Sequence, residues 1–412
     1  MTFLVAQLGA RMHYGVPQIL EEAGVLERLY TDFYIGNKHW LKRTLEAVPD
    51  SARPAWMQRL LGRSGDRIPP HKVTSFDLFG WQYFDARRRA ASSLELSRVF
   101  VATNQAFCRK IIASRPPEVE RVWAFNGAAL ELFRWARARG ALCILEQCMA
   151  PLRTLHRLLA AELERWPDWQ PELAVPAVSD PLAEREEAEW DLADQIIAGS
   201  QFVLDEMRRA GAIGSKGTVV PYGVDHARFD GAPTRAPRPV GRLRVLYAGE
   251  VGLRKGAPYL LQALHELGAG KVESRLAGRL ALNRSKLGRF SEVASFLGEV
   301  PRSVMPALYR WADVLVLPSL CEGSATVTYE ALASGVPVVA TRNAGSPVRH
   351  GINGLVVEPR NAAALREALD ALSQDRRLLS RLSEQAALSA PEVGIDGYRD
   401  RLLSALRIRP CC

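Results

Sequence analysis

The chain has 412 residues, 48% of them hydrophobic and 24% charged, with a formal net charge of +9. That length exceeds a single core and predicts two domains. The absence of any run of about 18 apolar residues excludes a membrane-spanning helix. Six cysteines without a C-x-x-C pair argue against a zinc site and for a reduced, cytoplasmic setting. The basic balance suits an anionic membrane face, nucleic acid or an acidic substrate. No nucleic-acid motif accompanies it, so peripheral contact with the inner membrane face is favoured.

Phe3–Leu8 reads as a buried first strand. It has no basic segment or small-residue cleavage site that would make it a leader. A loop at Gly9, Ala10 and Arg11 precedes an amphipathic helix over Val16–Leu26. Asn37–Ser97 breaks the strand–helix alternation and holds Trp40, Trp56, Trp81, Tyr83 and many arginines. It is expected to be a helical insertion facing the acceptor or a membrane. Strands at Arg121–Phe125 and Ala141–Glu146 flank a helix at Ala128–Arg139, and Asp194–Ala198 leads to a helix at Gln201–Ala210. The Pro/Gly/Arg-rich stretch 231–241 is the linker candidate. This gives a first Rossmann-like domain over 1–230, a second over 242–388, and a final segment over 389–412.

The second half repeats the pattern, with strands at Arg244–Gly249, Ser274–Ala277, Ala294–Leu297, Asp313–Leu317, Val336–Ala340 and Gly354–Val357. After the first of them, Gly249 lets backbone approach a ligand closely, and Arg254 and Lys255 supply two cations for phosphate oxygens. Glu322 and Glu330 lie eight residues apart in CEGSATVTYEALASGVPVVAT. Eight helical steps leave two side chains roughly 80° apart. Glu322 is therefore assigned to a loop and Glu330 to the second turn of a short helix capped by Ser324 or Thr326 and ended by Gly335. The N–H groups of Ser324, Ala325, Thr326 and Val327, following Gly323, are expected to face the space between the glutamates. There they suit an anion, as a helix N-terminus does.

The stretch from Glu322 to Glu330, with GVPVVATRNAGSPVRHGINGLVVEPRN after it, resembles the E-x7-E motif of retaining GT-B glycosyltransferases of glycosyltransferase family 4. The resemblance covers most of the chain and is strongest from about Ala193 to Leu372. It implies a GT-B fold, two Rossmann-like domains facing across a cleft, with the last helix crossing back to the first domain. It implies transfer of a hexose from a nucleotide-sugar donor to a glycan or lipid-linked acceptor, with retention, as in polysaccharide biosynthesis. By the same resemblance Glu322 contacts the donor sugar, Glu330 holds the ribose, and Lys255 and Arg254 stabilise the leaving diphosphate. Gly298 and Val300 receive the base through main-chain contacts.

Two positions depart from the family pattern. Glu250 stands where an arginine is usual, which makes Arg254 the substitute. Asn126 stands where a histidine is frequent, so the departing phosphate is expected to take the acceptor proton. Arg11, His13 and Asn126 are the acceptor-side candidates. No D-x-D, Walker A or G-x-G-x-x-G sequence occurs, so no metal and no cofactor are expected. The alternatives are a sugar phosphorylase or nucleotide-sugar epimerase of the same fold, or an inactive nucleotide-sugar-binding subunit.

Overall fold

The computed structural model describes residues 1–49, 53–65, 67–175, 180–211, 213–225, 229 and 241–408. The proposed linker 231–241 lies outside the described residues except for Gly241, and Cys411 and Cys412 also fall outside them.

Two parallel sheets organise the chain. The first contains β1 (Phe3–Gln7), β2 (Leu26–Thr31), β3 (Val73–Ser75), β4 (Arg121–Phe125), β5 (Leu142–Gln147), β6 (Gln195–Ala198) and β7 (Gly217–Val219), in the order β3-β2-β1-β4-β5-β6-β7. The second contains β8 (Leu243–Ala248), β9 (Val272–Ala277), β10 (Ala294–Gly298), β11 (Val314–Leu317), β12 (Val338–Thr341) and β13 (Gly354–Val357), in the order β10-β9-β8-β11-β12-β13. Strand order reverses beside β1 in one sheet and beside β8 in the other. In open α/β sheets such switch points open ligand crevices at the carboxyl ends of the strands. Every residue of β1, β11 and β12 is buried. Strands covered by helices on both faces read as continuous apolar runs for this reason, and the expected two-domain fold is found.

The helices of the first half are α1 (Gly15–Glu22), α2 (His39–Glu46), α3 (Ala55–Leu61), α4 (Asp77–Arg89), α5 (Ser93–Ala113), α6 (Leu130–Arg137), α7 (Leu152–Arg165), α8 (Pro181–Leu192) and α9 (Gln201–Arg209). Those of the second are α10 (Ala257–Leu267), α11 (Met305–Trp311), α12 (Thr326–Ala333), α13 (Ala362–Gln374), α14 (Arg376–Leu388), α15 (Ala390–Val393) and α16 (Ile395–Leu406). The helix expected over Val16–Leu26 stops early. Gly24 takes φ +68°, and Leu26–Thr31 continues as a strand. The insertion is not wholly helical, because Val73–Ser75 adds an edge strand beside β2.

Two elements tie the halves together. Trp166, the C-cap of α7, and Trp169 just beyond it place their rings on Tyr259 at 5.5 Å and on Phe290 at 6.3 Å. Buried Glu162 of α7 accepts from the Tyr259 hydroxyl at 2.8 Å and pairs with Arg360 at 2.6 Å. From α16, the Leu406 and Ala405 carbonyls accept from Arg121 and Gln195 of the first sheet at 3.1 and 3.0 Å.

Candidate active site

The second half brings four of the named residues to the carboxyl ends of β8 and β11. Gly249, at φ +129°, leaves room for the Lys255 side chain, whose Nζ would lie 2.8 Å from a Cβ at that position. Gly256, at φ +67°, opens α10 against the Pro318 carbonyl, where a Cβ would come within 2.1 Å. The Leu320 amide donates to the Arg254 carbonyl at 2.8 Å, which fastens the loop after β8 to the loop after β11. Glu322 Oε1 then receives Arg254 at 2.7 Å and Lys255 at 3.0 Å. Burial alone pushes this carboxyl up, but the Lys255 and Arg254 charges outweigh it and hold Glu322 below the usual carboxylate range. Arg254 also donates to the Cys321 carbonyl at 2.9 Å. The Cys321 thiol is pushed up to about 12 by burial, so it packs rather than reacts.

Glu330 lies in the second turn of α12. Its Oε2 accepts from the Tyr309 hydroxyl at 2.7 Å. Burial, and then the Glu330 charge, keep that phenol neutral and donating. The helix ends in a Schellman arrangement: Val336 N–H bonds the Ala331 carbonyl at 2.8 Å, Gly335 N–H bonds that of Leu332 at 2.9 Å, and Gly335 takes φ +68°.

Its start differs from expectation. Ala325 is the N-cap and no side chain caps the helix. The Ser324 hydroxyl is engaged by that of Tyr329 at 2.6 Å, and Thr326 is already the first helical residue. The Ala325 amide donates to the Ala344 carbonyl at 3.2 Å, which removes it from the expected anion donors. The Thr326 and Val327 amides have no carbonyl acceptor among the described residues.

Gly298, at φ +69° with open space beside it, ends β10 next to Gly278, whose amide donates to the Gly298 carbonyl at 2.8 Å. Val300, half-buried, follows beyond Glu299. Glu250 pairs with Arg279, and its carbonyl accepts from Tyr247 at 2.6 Å.

In the first half, β1 leads into a turn in which Met12, His13 and Tyr14 all take positive φ, between 46° and 60°. Left-handed backbone costs roughly 1–2 kcal/mol for each such residue. Surrounding bonds offset it: Tyr14 donates to the Phe33 carbonyl at 2.8 Å and Gln18 to that of His13 at 2.8 Å, while Gln7 donates to that of Arg11 at 3.2 Å. The turn leaves Arg11 exposed, its guanidinium 5.3 Å from the centroid of the Phe125 ring.

His13 and Asn126 are occupied otherwise. One His13 nitrogen meets the Gly62 carbonyl at 3.1 Å and the other meets Arg302 of the second half. Asn126 donates to Glu186 at 2.8 Å and accepts from the Cys148 amide at 3.1 Å, so both ends of its side chain shape the loop after β5. That loop touches the glutamate loop, since a Cβ on Gly323 would fall 1.7 Å from the Cys148 carbonyl oxygen. Ser200 donates to the Gly323 carbonyl, and the side-chain oxygen of Gln170 accepts from the Leu253 amide at 2.9 Å. Tyr309, Gln170 and Ser200 were not among the expected site residues. Their roles depend on contacts over 21, 83 and 123 residues, which no local motif signals.

Residues 242–375 match the family model Glycosyl transferases group 1. Two curated relatives are D-inositol 3-phosphate glycosyltransferases. That of Pseudarthrobacter chlorophenolicus is 32% identical over 194 residues, 43% of this chain and 46% of the relative. That of Streptomyces bingchenggensis is 33% identical over 233 residues, 50% of each. The chain thus spans about half the length of these relatives. Among solved structures, Anabaena HepE in complex with UDP has a TM-score of 0.59 at 16% identity, over 99% of this chain and all of that one. Sucrose-phosphate synthase from Thermosynechococcus elongatus has 0.60 at 18% identity, over 99% and 98%. These likenesses establish the fold as GT-B, with a group 1 glycosyltransferase match in the second domain.

Proposed function

We propose that this GT-B chain is a glycosyltransferase that moves a hexose from a nucleotide-diphosphate sugar to a hydroxyl acceptor with retention of configuration. The convergence of Arg254 and Lys255 on one oxygen of Glu322 carries this reading. Two cations at the carboxyl end of a switch-point strand, paired to the loop that leads into a helix N-terminus, suit a diphosphate and the charge that grows on it as it leaves. In this reading the diphosphate replaces Glu322 on the cations and meets the Thr326 and Val327 amides. Glu322 turns to the sugar hydroxyls, and Glu330, aligned by Tyr309, takes the ribose. Gly298 and Val300 border the base. The two cations perform the charge neutralisation that a metal performs in other transferases, and positioning supplies most of the remaining rate.

The relatives' name specifies a phosphate-bearing acceptor, D-inositol 3-phosphate. Arg11, whose guanidinium stands beside Phe125 at the carboxyl end of β4, suits an acceptor of that anionic class, a phosphorylated or lipid-diphosphate-linked glycan. Asn126 and His13 then serve to hold the cleft walls. A panel of UDP, GDP, ADP and their sugars tests the donor site by thermal shift. One base class is expected to stabilise the chain, by about 2.7 kcal/mol at a hundred times Kd. Lys255→Ala and Glu330→Ala should each shrink the shift, and unchanged shifts in both variants would overturn the assignment.

A further inference from the structure

Residues 37–98 contain twelve Lys and Arg against six Asp and Glu, whereas the rest of the chain has forty-two against thirty-nine. The positive balance is therefore concentrated in this stretch, in its helices and the segments between them alike. The same stretch contains every strongly exposed Trp and Phe among the described residues: Trp40 at 74%, Trp56 at 56%, Trp81 at 63% and Phe84 at 57%. Soluble surfaces scatter single apolar residues, but a cluster of large aromatics needs an explanation. Leu78, Trp81 and Phe84 recur every three residues, so they form one stripe along α4, and Arg88 lies 5.8 Å from the Phe84 ring centroid. Lys38 and Asp77 pair at 2.9 Å and join the first turns of α2 and α4, so Trp40 and Leu78 emerge from neighbouring helix ends. Asp77 and Asp85 are taken by Lys38 and Arg89. Arg43 and Arg88 have no acidic partner among the described residues. Both α2 and α4 follow the carboxyl ends of strands β2 and β3, the end of the sheet that also bears Arg11.

We propose that α2, α3 and α4 form a docking surface for an anionic lipid bilayer, with Trp40, Trp56, Trp81 and Phe84 at the headgroup boundary and Arg43 and Arg88 on lipid phosphates. Aromatic rings settle at that boundary because one part is apolar and another polar, and basic side chains are drawn to an anionic lipid surface. A neutral glycan or an apolar protein partner would not account for the charge. The assignment stands on this surface alone, independently of the transfer chemistry.

Flotation of the full chain with phosphatidylcholine vesicles, with and without phosphatidylglycerol, tests it. Binding is expected only with the anionic lipid and should fall as salt rises. The double variant Trp40→Ala/Trp81→Ala changes exposed side chains and should lower the vesicle partition coefficient about tenfold, with an unaltered thermal transition. Arg43→Glu/Arg88→Glu should lower it at least as far. Equal binding to both vesicle types, no binding to either at low salt, or a wild-type dimer that Trp81→Ala dissolves would each overturn the proposal.

Discussion

Glu322→Gln separates donor affinity from transfer. Without ligand, one Glu322 oxygen receives Arg254 at 2.7 Å and Lys255 at 3.0 Å. An incoming diphosphate must displace that carboxylate before it can use either cation. A hydrogen bond to a charged group contributes about 1.5–3 kcal/mol net. The three side chains are 12–25% exposed, and a displaced carboxylate regains water or sugar hydroxyls, so the competing energy is set nearer about 1–2 kcal/mol. Glutamine keeps the shape and removes the competing charge. The Kd for whichever nucleoside diphosphate stabilises the wild type should therefore fall about 5–30-fold in Glu322→Gln. Turnover of the nucleotide sugar should fall by about a hundredfold or more, the usual scale for losing one well-placed polar group. Two unneutralised cations should also lower the thermal transition of the free variant, and saturating diphosphate should restore it. Titration calorimetry at fixed low salt gives the first number and a transfer assay the second. Weaker or unchanged diphosphate binding in Glu322→Gln would refute the idea that Glu322 occupies the phosphate position in the free protein.

Three further outcomes follow from the same geometry. Tyr309→Phe removes the 2.7 Å bond to Glu330 and should cost about 1 kcal/mol of stability and about fivefold in donor Kd, read by calorimetry. Gly323→Ala puts a methyl 1.7 Å from the Cys148 carbonyl oxygen, backbone against backbone, so no rotamer relieves it. A loss of about 1–3 kcal/mol and faster proteolytic nicking between the halves are expected, and wild-type behaviour in both would contradict the contact. Burial pushes the Glu146 carboxyl up to about 7, against partial relief from the Tyr222 hydroxyl and Arg11. An acid whose folded pKa is raised holds its proton better when folded. Its contribution is complete below the unfolded value of 4.5 and is lost as pH rises from there through about 7. The unfolding free energy from denaturant titrations should decline across that window by roughly 1 kcal/mol per pH unit from this group, and Glu146→Gln should flatten the decline.

The parts legible in the sequence are those that local chemistry decides. DVLVL and VPVVAT are apolar enough to name two buried strands, and Gly335 ends the helix between them because the left-handed position favours glycine. The spacing of Glu322 and Glu330 separates loop from helix by arithmetic alone. Where two local readings compete, tertiary partners choose. Ser324 is a good cap in isolation, but the buried Tyr329 hydroxyl takes it, and Ala325 becomes the cap. The spacing of Val16, Ile19 and Leu20 extends naturally to Leu26 as a helix, yet pairing with β1 draws Leu26–Thr31 into the sheet once Gly24 has turned the chain. The tryptophans of the insertion are visible as letters. Their exposure is not, because the same pattern describes a packed lid.

The cations that face Glu322 belong to the second domain, but the loops carrying them are not held by that domain alone. Gln170 fixes the Leu253 amide just before Arg254 and Lys255, and Trp169 beside it accepts the Asn283 amide at 2.7 Å. On the other side Ser200 holds the Gly323 carbonyl, and the Cys148 loop leaves no space for a side chain at Gly323. The first domain therefore braces both loops from outside, while the Leu320–Arg254 bond and the Glu322 ion pairs join them within the second domain. An opening motion that separated Cys148 from Gly323 while leaving Trp166 and Trp169 on Tyr259 and Phe290 would pivot about the α7 end and draw the Cys148 loop away from the glutamate loop, which the Leu320–Arg254 bond keeps with the cation loop. Closure would then return the Cys148 and Ser200 contacts to Gly323 and brace the start of the glutamate loop, leaving the cation–glutamate pairs, which lie within one domain, intact throughout.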